Sequence, residues 1–408
     1  MDKTVELESL KLDKSKWVLT PLGDLAKEIS KRVDNPSESG FDKFVGLQHF
    51  VSGDLKISEY GPTKNLTSST KAFEKGDILL ARRNAYLRRA SLVEFDGVCS
   101  GDAFVLRENH DKVVPGFLAF VVNSNGLWDY ANANAAGTMS KRVKWCDLAN
   151  YEFLLPPKEQ QAELAQLLWS MDKVVEKELV VLENVTTLRD INREKLYTYG
   201  IKAIGEQDEA KTKNGKSGII RKDFKEIKFF DCVEIKSGQV DPKDEKYSGL
   251  FQIGSERMDP NTGKINEYKS AKELNITSGN YIFTADDIIY SKIRPYFKKV
   301  AIPNFTGLCS ADIYPLRLKS DSILKEYLFY FMLTEKFTRK LLRFQNRTGM
   351  PKVNRDELSS MYIPYPDDEN EQKEIIGILK GIDSSLDSVS SKIDTSRTLQ
   401  KSLINQVF

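Results

Sequence analysis

The chain has 408 residues, 40% of them hydrophobic and 29% charged, enough to fill a core in each of two domains of ordinary size. Its 61 lysines and arginines nearly cancel 59 aspartates and glutamates, so a net charge of +2 neither demands nor excludes a nucleic-acid partner, and any basic surface must be local. Four scattered cysteines (Cys99, Cys146, Cys232, Cys309) without a Cys-x-x-Cys pair argue against a zinc knuckle and a disulfide framework, and no apolar run approaches the roughly 20 residues of a membrane span, so a cytoplasmic protein is expected.

Residues 1–16 read as a charged leader, and 17–157 as a mixed α and β module. Ile78 to Ala81 follows the turn pair Gly76-Asp77 and reads as a strand. Asp96-Gly97 separates Ser91-Leu92-Val93 from Val98-Cys99, which predicts a hairpin. Pro115 predicts the start of a helix through Asn123, and Pro156-Pro157 closes the module. Over 158–200 the period changes: Leu164, Leu168, Met171, Val175, Leu182 and Val185 recur at helical steps. Residues 201–222 are polar, with Gly205, Gly215 and Gly218, and read as a flexible joint. A second module over 223–366 ends at Pro364 to Pro366. The last segment, 367–408, is a second long helix in which Ile375, Leu379, Ile382, Leu386, Val389 and Ile393 form one stripe that can pair with the first.

Sliding the second half against the first exposes an internal repeat. Cys99-Ser100-Gly101-Asp102 returns as Cys309-Ser310-Ala311-Asp312. The same shift of 210 (309 minus 99) carries Asp77-Ile78-Leu79 onto Asp287-Ile288-Ile289, Tyr86 onto Tyr296 and Arg88-Arg89 onto Lys298-Lys299. Upstream, Gly46 and Lys56 to Tyr60 meet Gly254 and Lys264 to Tyr268 at 208 (254 minus 46). Downstream, Gln161 and Asp172 meet Gln372 and Asp383 at 211 (372 minus 161). Small loop insertions account for the drift, and a period this long means duplicated domains.

Reactive constellations are not found. An adenine methyltransferase needs a glycine-rich cofactor loop and an Asn-Pro-Pro-Tyr type motif, whereas Pro156-Pro157 follows Leu155. Gly215-Lys216-Ser217 resembles the end of a phosphate-binding loop, but Ala210 stands where the first glycine belongs. Glu226-Ile227-Lys228 and Glu234-Ile235-Lys236 have the acid-x-lysine spacing of some nucleases, without a counterpart in the first copy. The two histidines, His49 and His110, sit in no metal or triad motif. The expectation is a non-enzymatic chain with no catalytic residue, metal or cofactor of its own.

Basic loops recur instead. The loop after the Ile78 strand carries Arg82, Arg83, Asn84, Arg88 and Arg89 around Tyr86, and its match carries Lys292, Arg294, Lys298 and Lys299 around Tyr296, a mixture suited to phosphate and base contact. One such cluster alone would be as readily a solvated face; recurrence favours DNA. A second pair is Gly137-Thr138-Met139 with Lys141, Arg142 and Lys144, matched loosely by Asn346-Arg347-Thr348-Gly349-Met350 with Lys352 and Arg355. Glycine there permits close approach to a phosphate, and would equally serve an ordinary turn. Beside Gly46 and Gly254 the copies diverge, Gln48-His49 against Ser255-Glu256-Arg257. Gln can pair with adenine and Arg with guanine, each worth about 1–3 kcal/mol of discrimination; loop drift without function is the plainer alternative.

Two divergent modules, each closed by a proline-flanked strand and a long helix that opens with Lys158-Glu159-Gln160-Gln161 or Asn370-Glu371-Gln372-Lys373, resemble the specificity subunits of type I restriction-modification systems over nearly the whole chain. The resemblance implies an α+β fold with a pseudo-twofold internal repeat: two tandem mixed α/β target recognition domains separated by a long antiparallel two-helix coiled coil. It implies that each domain reads one half of a bipartite site in double-stranded DNA. It also implies partners: two methyltransferase subunits that bind S-adenosylmethionine and methylate adenine, and restriction subunits that use ATP to translocate and cleave DNA. A helix from Lys158 to Tyr199 would extend roughly 60 Å at 1.5 Å per residue, so the coiled coil is expected to act as a ruler. The alternatives are a specificity subunit for a fused nuclease-methyltransferase of the type IIB kind, a stand-alone DNA-modifying enzyme, and a coiled-coil scaffold without DNA affinity.

Overall fold

The computed structural model describes residues 12–138, 140–201, 211–343 and 351–408. The chain divides into two compact units, Met1–Val180 with Ser391–Phe408, and Val181–Ser390. Each division falls inside a long helix, Lys158–Tyr199 or Glu369–Val407.

In the first unit Ile78–Ala81 is a central strand, paired with Ala103–Glu108 on one side and Ala90–Leu92 on the other; Ala26–Glu28 lies beyond Ala103–Glu108. Side chains alternate across a strand. Ile78, Leu80, Phe104 and Leu106 join a large core with Phe117, Trp128, Leu164, Leu168 and Ile404, whereas Leu79, Ala103 and Val105 join a smaller core with Val45, Phe73 and Cys99. Burial on both faces is why this strand reads as an unbroken apolar run. The smaller core is shared with a second sheet ordered Arg32–Val33, Thr70–Phe73, Gly97–Cys99, Lys43–Val45 and Gly61–Pro62, and Val18–Pro21 pairs with Glu152–Leu155.

Two local expectations fail here. The hairpin around Asp96-Gly97 does not form, because Ala90–Leu92 belongs to the first sheet and Gly97–Cys99 to the second. Gly97 marks that crossing: a Cβ there would overlap the Lys43 carbonyl and the Phe73 ring, as one on Gly307 would overlap the Phe251 carbonyl and the Phe283 ring. The helix from Pro115 begins later. Gly116 is left-handed (φ 79°), and its N–H and that of Leu118 are donated to the buried Glu108 carboxylate (2.6 and 2.8 Å). Short helices follow at Leu118–Val121 and Asn125–Ala133.

The second unit repeats these pairings. Asp287–Ser291 lies between Ile313–Leu318 and Val300–Ala301, with Val233–Ile235 outermost, and the second sheet runs Gln239–Val240, Asn280–Phe283, Gly307–Cys309, Gln252–Ile253, the last pair parallel in both copies. Ile288 and Leu316 pack with Leu196, Tyr197, Ile375 and Leu379, and Ile289 and Ile313 with Ile253 and Phe283. Part of the stretch read as a flexible joint is an ordered hairpin, Thr212–Gly215 with Gly218–Arg221; residues 202–210 lie outside the described residues. The Glu226 carboxylate accepts the N–H groups of Lys216 and Ser217 (2.9 and 2.7 Å), and Arg221 grips Glu371 with two bonds (2.6 and 2.7 Å). The glycines there serve a tight capped turn.

Matched residues make matched bonds. Buried Asp77 and Asp287 each accept a turn N–H (Glu74, 2.8 Å; Thr284, 2.7 Å) and a two-pronged guanidinium, Arg107 (2.8 and 2.9 Å) or Arg317 (2.5 and 3.0 Å). Gln161 and Gln372 are buried where each long helix begins. Their side-chain oxygens accept from Val114 or Leu324 (3.0 Å each), and their amides donate to the carbonyls of Lys112 and Pro156 or Ser322 and Pro366. Lys56 reaches Glu176 (2.8 Å) and Lys264 reaches Asp387, each tying a matched loop to its own unit's stretch of helix.

Of the periodic helix residues, Leu164, Leu168, Val175, Ile375, Leu379, Leu386 and Ile393 are buried, and Met171, Leu182, Val185, Ile382 and Val389 half-buried. Within the first unit Gln400 donates to Asp172 (3.3 Å) and Lys392 pairs with Glu178 (3.3 Å); within the second, Glu371 accepts from Ile201 (3.2 Å) and Asp383 sits in the field of Arg193. Numbers fall on one helix as they rise on the other, so the two segments in each unit are antiparallel.

Candidate nucleic-acid interface

Three segments converge in each unit, and two of them are the basic stretches read separately from the sequence. In the first unit the loop 82–89 leaves the central strand and is tied to 140–144 by Asn84 N–H to Lys141 O (2.9 Å) and Val143 N–H to Arg82 O (2.9 Å). The Arg89 guanidinium then donates to the carbonyls of Leu47 and Arg83 (3.1 Å each), which brings in the turn 46–49. In the second unit Arg294 N–H meets Pro351 O (2.8 Å), Val353 N–H meets Lys292 O (2.7 Å), and Lys299 Nζ donates to Ser255 O (2.6 Å). Met139 and Arg347 lie outside the described residues.

The loop tips share an uncommon backbone. A short 3-10 turn, Ala85–Leu87 or Pro295–Phe297, is bracketed by left-handed residues: Asn84 (φ 55°) and Arg88 (φ 48°), or Arg294 and Lys298 (φ 48° each). Asn visits this region readily, but Arg and Lys do so at a cost of order 1–3 kcal/mol. The framework that holds them there lifts Tyr86 and Tyr296 outward, 67% and 47% exposed.

The basic side chains split by role. Arg88 donates to Asn125 (2.5 Å) and Lys298 pairs with Glu335 (2.5 Å), matched anchors onto the following helix. Arg89 and Lys299 hold carbonyls. Asp102 gathers Arg82 (3.4 Å) and Arg142 (3.0 Å), and its counterpart Asp312 holds Lys352 (3.0 Å). The hydrogen bond from Arg142 holds the Asp102 carboxyl below the usual range. Burial, reinforced by the charge of Lys352, pushes the Lys292 ammonium down, and Lys292 lies over the Tyr314 ring (4.9 Å). Arg83, which bonds Ser140 (2.6 Å), stands at the surface with Lys141, Lys144, Arg294 and Arg355.

The turns beside Gly46 and Gly254 refine the sequence reading. His49 Nδ1 accepts the Gly46 N–H (3.0 Å), whereas Arg257 turns inward to the Gln252 carbonyl and side chain (3.0 Å each). The residue matching exposed Gln48 is Glu256, also exposed. At the shift of 208 (256 minus 48) Glu256 is the counterpart of Gln48, and Arg257 that of His49. Beneath the site, burial pushes the Cys99 thiol up to about 12, which removes it as a nucleophile.

Residues 221–395 match the family model for the type I restriction modification DNA specificity domain. The chain carries a type I specificity domain. That domain covers the second copy, and the first copy shares its sheet pairings and framework bonds. The chain is 26% identical over 296 residues to the EcoDI specificity subunit of Escherichia coli, a match that spans 67% of this chain and 65% of that protein. It is 25% identical to the MjaVIII specificity subunit of Methanocaldococcus jannaschii across 95% of this chain and 91% of that one. Its fold is similar to a chain solved in work on complex assembly and conformational transition of the type I R-M system (TM-score 0.58, 17% identity, 98% of each chain). It is also similar to the type I S subunit from M. genitalium (TM-score 0.53, 15% identity, 98% and 99% covered). Both sequence relatives are specificity subunits of type I restriction enzymes. No described helix is long and apolar enough to cross a membrane.

Proposed function

We propose that this chain is the sequence-specificity subunit of a type I restriction-modification complex: each unit reads one half of a bipartite duplex site, and the paired long helices brace the two readers. The observation that carries the reading is the same three-segment basic site, with an outward tyrosine, built twice by matched bonds. Arg83, Lys141, Lys144, Arg294 and Arg355 take phosphates, and Tyr86, Tyr296, Gln48 and His49 approach base edges.

In this reading the chain does no chemistry itself and positions adenine methyltransferase and restriction subunits. An apolar stripe on the first long helix suits a helical partner: Leu167, Val174, Val181 and Leu188 recur every seven residues and are exposed. The test is binding of the purified full chain to duplex DNA across a salt series. Affinity falls steeply and linearly on a log–log plot if several phosphates are held; absence of salt-dependent binding defeats the reading.

A further inference from the structure

The turns that follow Gly46 and Gly254 are tied down at matched points, and each leaves one side chain exposed. In the first unit, Arg89 holds the Leu47 carbonyl and His49 closes back on the Gly46 N–H, which leaves Gln48 exposed. In the second, Lys299 holds the Ser255 carbonyl and Arg257 is anchored to Gln252, which leaves Glu256 exposed. In both copies the exposed side chain lies back over the glycine, where a Cβ would overlap it. The turns match; the groups they present differ.

Glu256 is the anomaly. It is a carboxylate one residue from the carbonyl held by Lys299, beside a loop whose other exposed groups include Arg294. Its own ion pair with Arg257 is loose at 3.6 Å. A carboxylate presented to DNA is repelled by phosphates and accepts hydrogen bonds only, so it is tolerated where a base offers an amino group. In the major groove cytosine N4 and adenine N6 are such donors, but adenine sets its N7 acceptor beside N6, against the second carboxylate oxygen, and guanine and thymine present acceptors to the same space, which leaves cytosine the best match. A carboxamide at the matched turn has both a donor and an acceptor, the pair that adenine N6 and N7 complement.

Resting on the reading of the chain as a specificity subunit, we infer that Gln48 and Glu256 are matched specificity-determining residues, Gln48 selecting adenine in one half-site and Glu256 selecting cytosine in the other. The full chain is co-expressed with its methyltransferase in cells lacking other adenine methylation, and methylated sites are mapped genome-wide for wild type, Glu256→Gln, Glu256→Ala and Gln48→Glu. Glu256→Gln moves the preference at one position of one half-site from cytosine towards adenine by roughly ten- to hundred-fold, and Gln48→Glu does the reverse in the other half-site. Glu256→Ala relaxes that single position. If both Glu256 variants methylate the wild-type sites with unchanged preference, the inference is overturned while the specificity-subunit reading stands. If the wild-type chain directs no bipartite methylation, that reading fails and the inference falls with it.

Discussion

Arg89→Ala separates building the interface from touching DNA. The guanidinium donates to the carbonyls of Leu47 and Arg83, so it fastens the 46–49 turn to the 82–89 loop. Charge-assisted hydrogen bonds contribute about 1.5–3 kcal/mol each when well shielded. Both acceptors belong to residues that are exposed or half-exposed, so water replaces much of that, and about 1–2 kcal/mol of loop order remains to be lost, roughly five- to thirty-fold in Kd. Because the side chain faces carbonyls, its loss leaves the salt dependence of binding unchanged. Arg83→Ala instead removes a surface cation, and lowers the slope of log K against log salt by about 0.9, one phosphate. Fluorescence anisotropy on a cognate duplex between about 50 and 200 mM salt reads both quantities. The division of roles is refuted if Arg89→Ala lowers the slope by about one and Arg83→Ala does not.

Gln372→Leu leaves the Leu324 N–H and the Ser322 and Pro366 carbonyls without their partner, and should lower the unfolding free energy by about 2–4 kcal/mol in denaturant titrations; a loss under about 0.5 would contradict the anchoring role. Burial pushes the Lys336 ammonium from 10.5 down to about 8, so between those values the unfolded chain binds more protons and stability rises with pH. Lys336→Met should flatten that rise relative to wild type, and parallel pH profiles would count against it. Inserting one heptad into both long helices adds roughly 10 Å and should lengthen the unread spacer in the DNA site by up to about three base pairs; an unchanged spacer refutes the ruler.

The repeat was legible because its recurring letters are structural bonds. Asp77 and Asp287 recur because a buried carboxylate must meet a guanidinium and a turn N–H, and Gln161 and Gln372 because a buried amide must fill both its donor and acceptor capacity. The stripes in the long helices were legible from period alone. Three features were not. Asp96-Gly97 announces a reversal without saying that the next strand joins another sheet, a matter of the close approach at Gly97. Gly215 and Gly218 suggested flexibility because the carboxylate that caps the turn, Glu226, comes later in the chain. Arg193 is almost wholly buried on the first long helix, with bonds to Asn261 and the Leu333 carbonyl, although a charged residue breaks an apolar pattern on paper. For the site, residue type nominated the basic loops, but only the fold shows that Arg88, Arg89, Lys298 and Lys299 face inward contacts while Arg83, Tyr86, Arg294 and Tyr296 face out.

The most direct measurement is a half-site map of two double variants in the assembled methyltransferase. Replacing Arg83 and Tyr86 by alanine should blur methylation preference in one half of the recognised sequence alone, and replacing Arg294 and Tyr296 should blur only the other half. Variants that degrade both halves together, or neither, would contradict the claim that each unit is an independent reader.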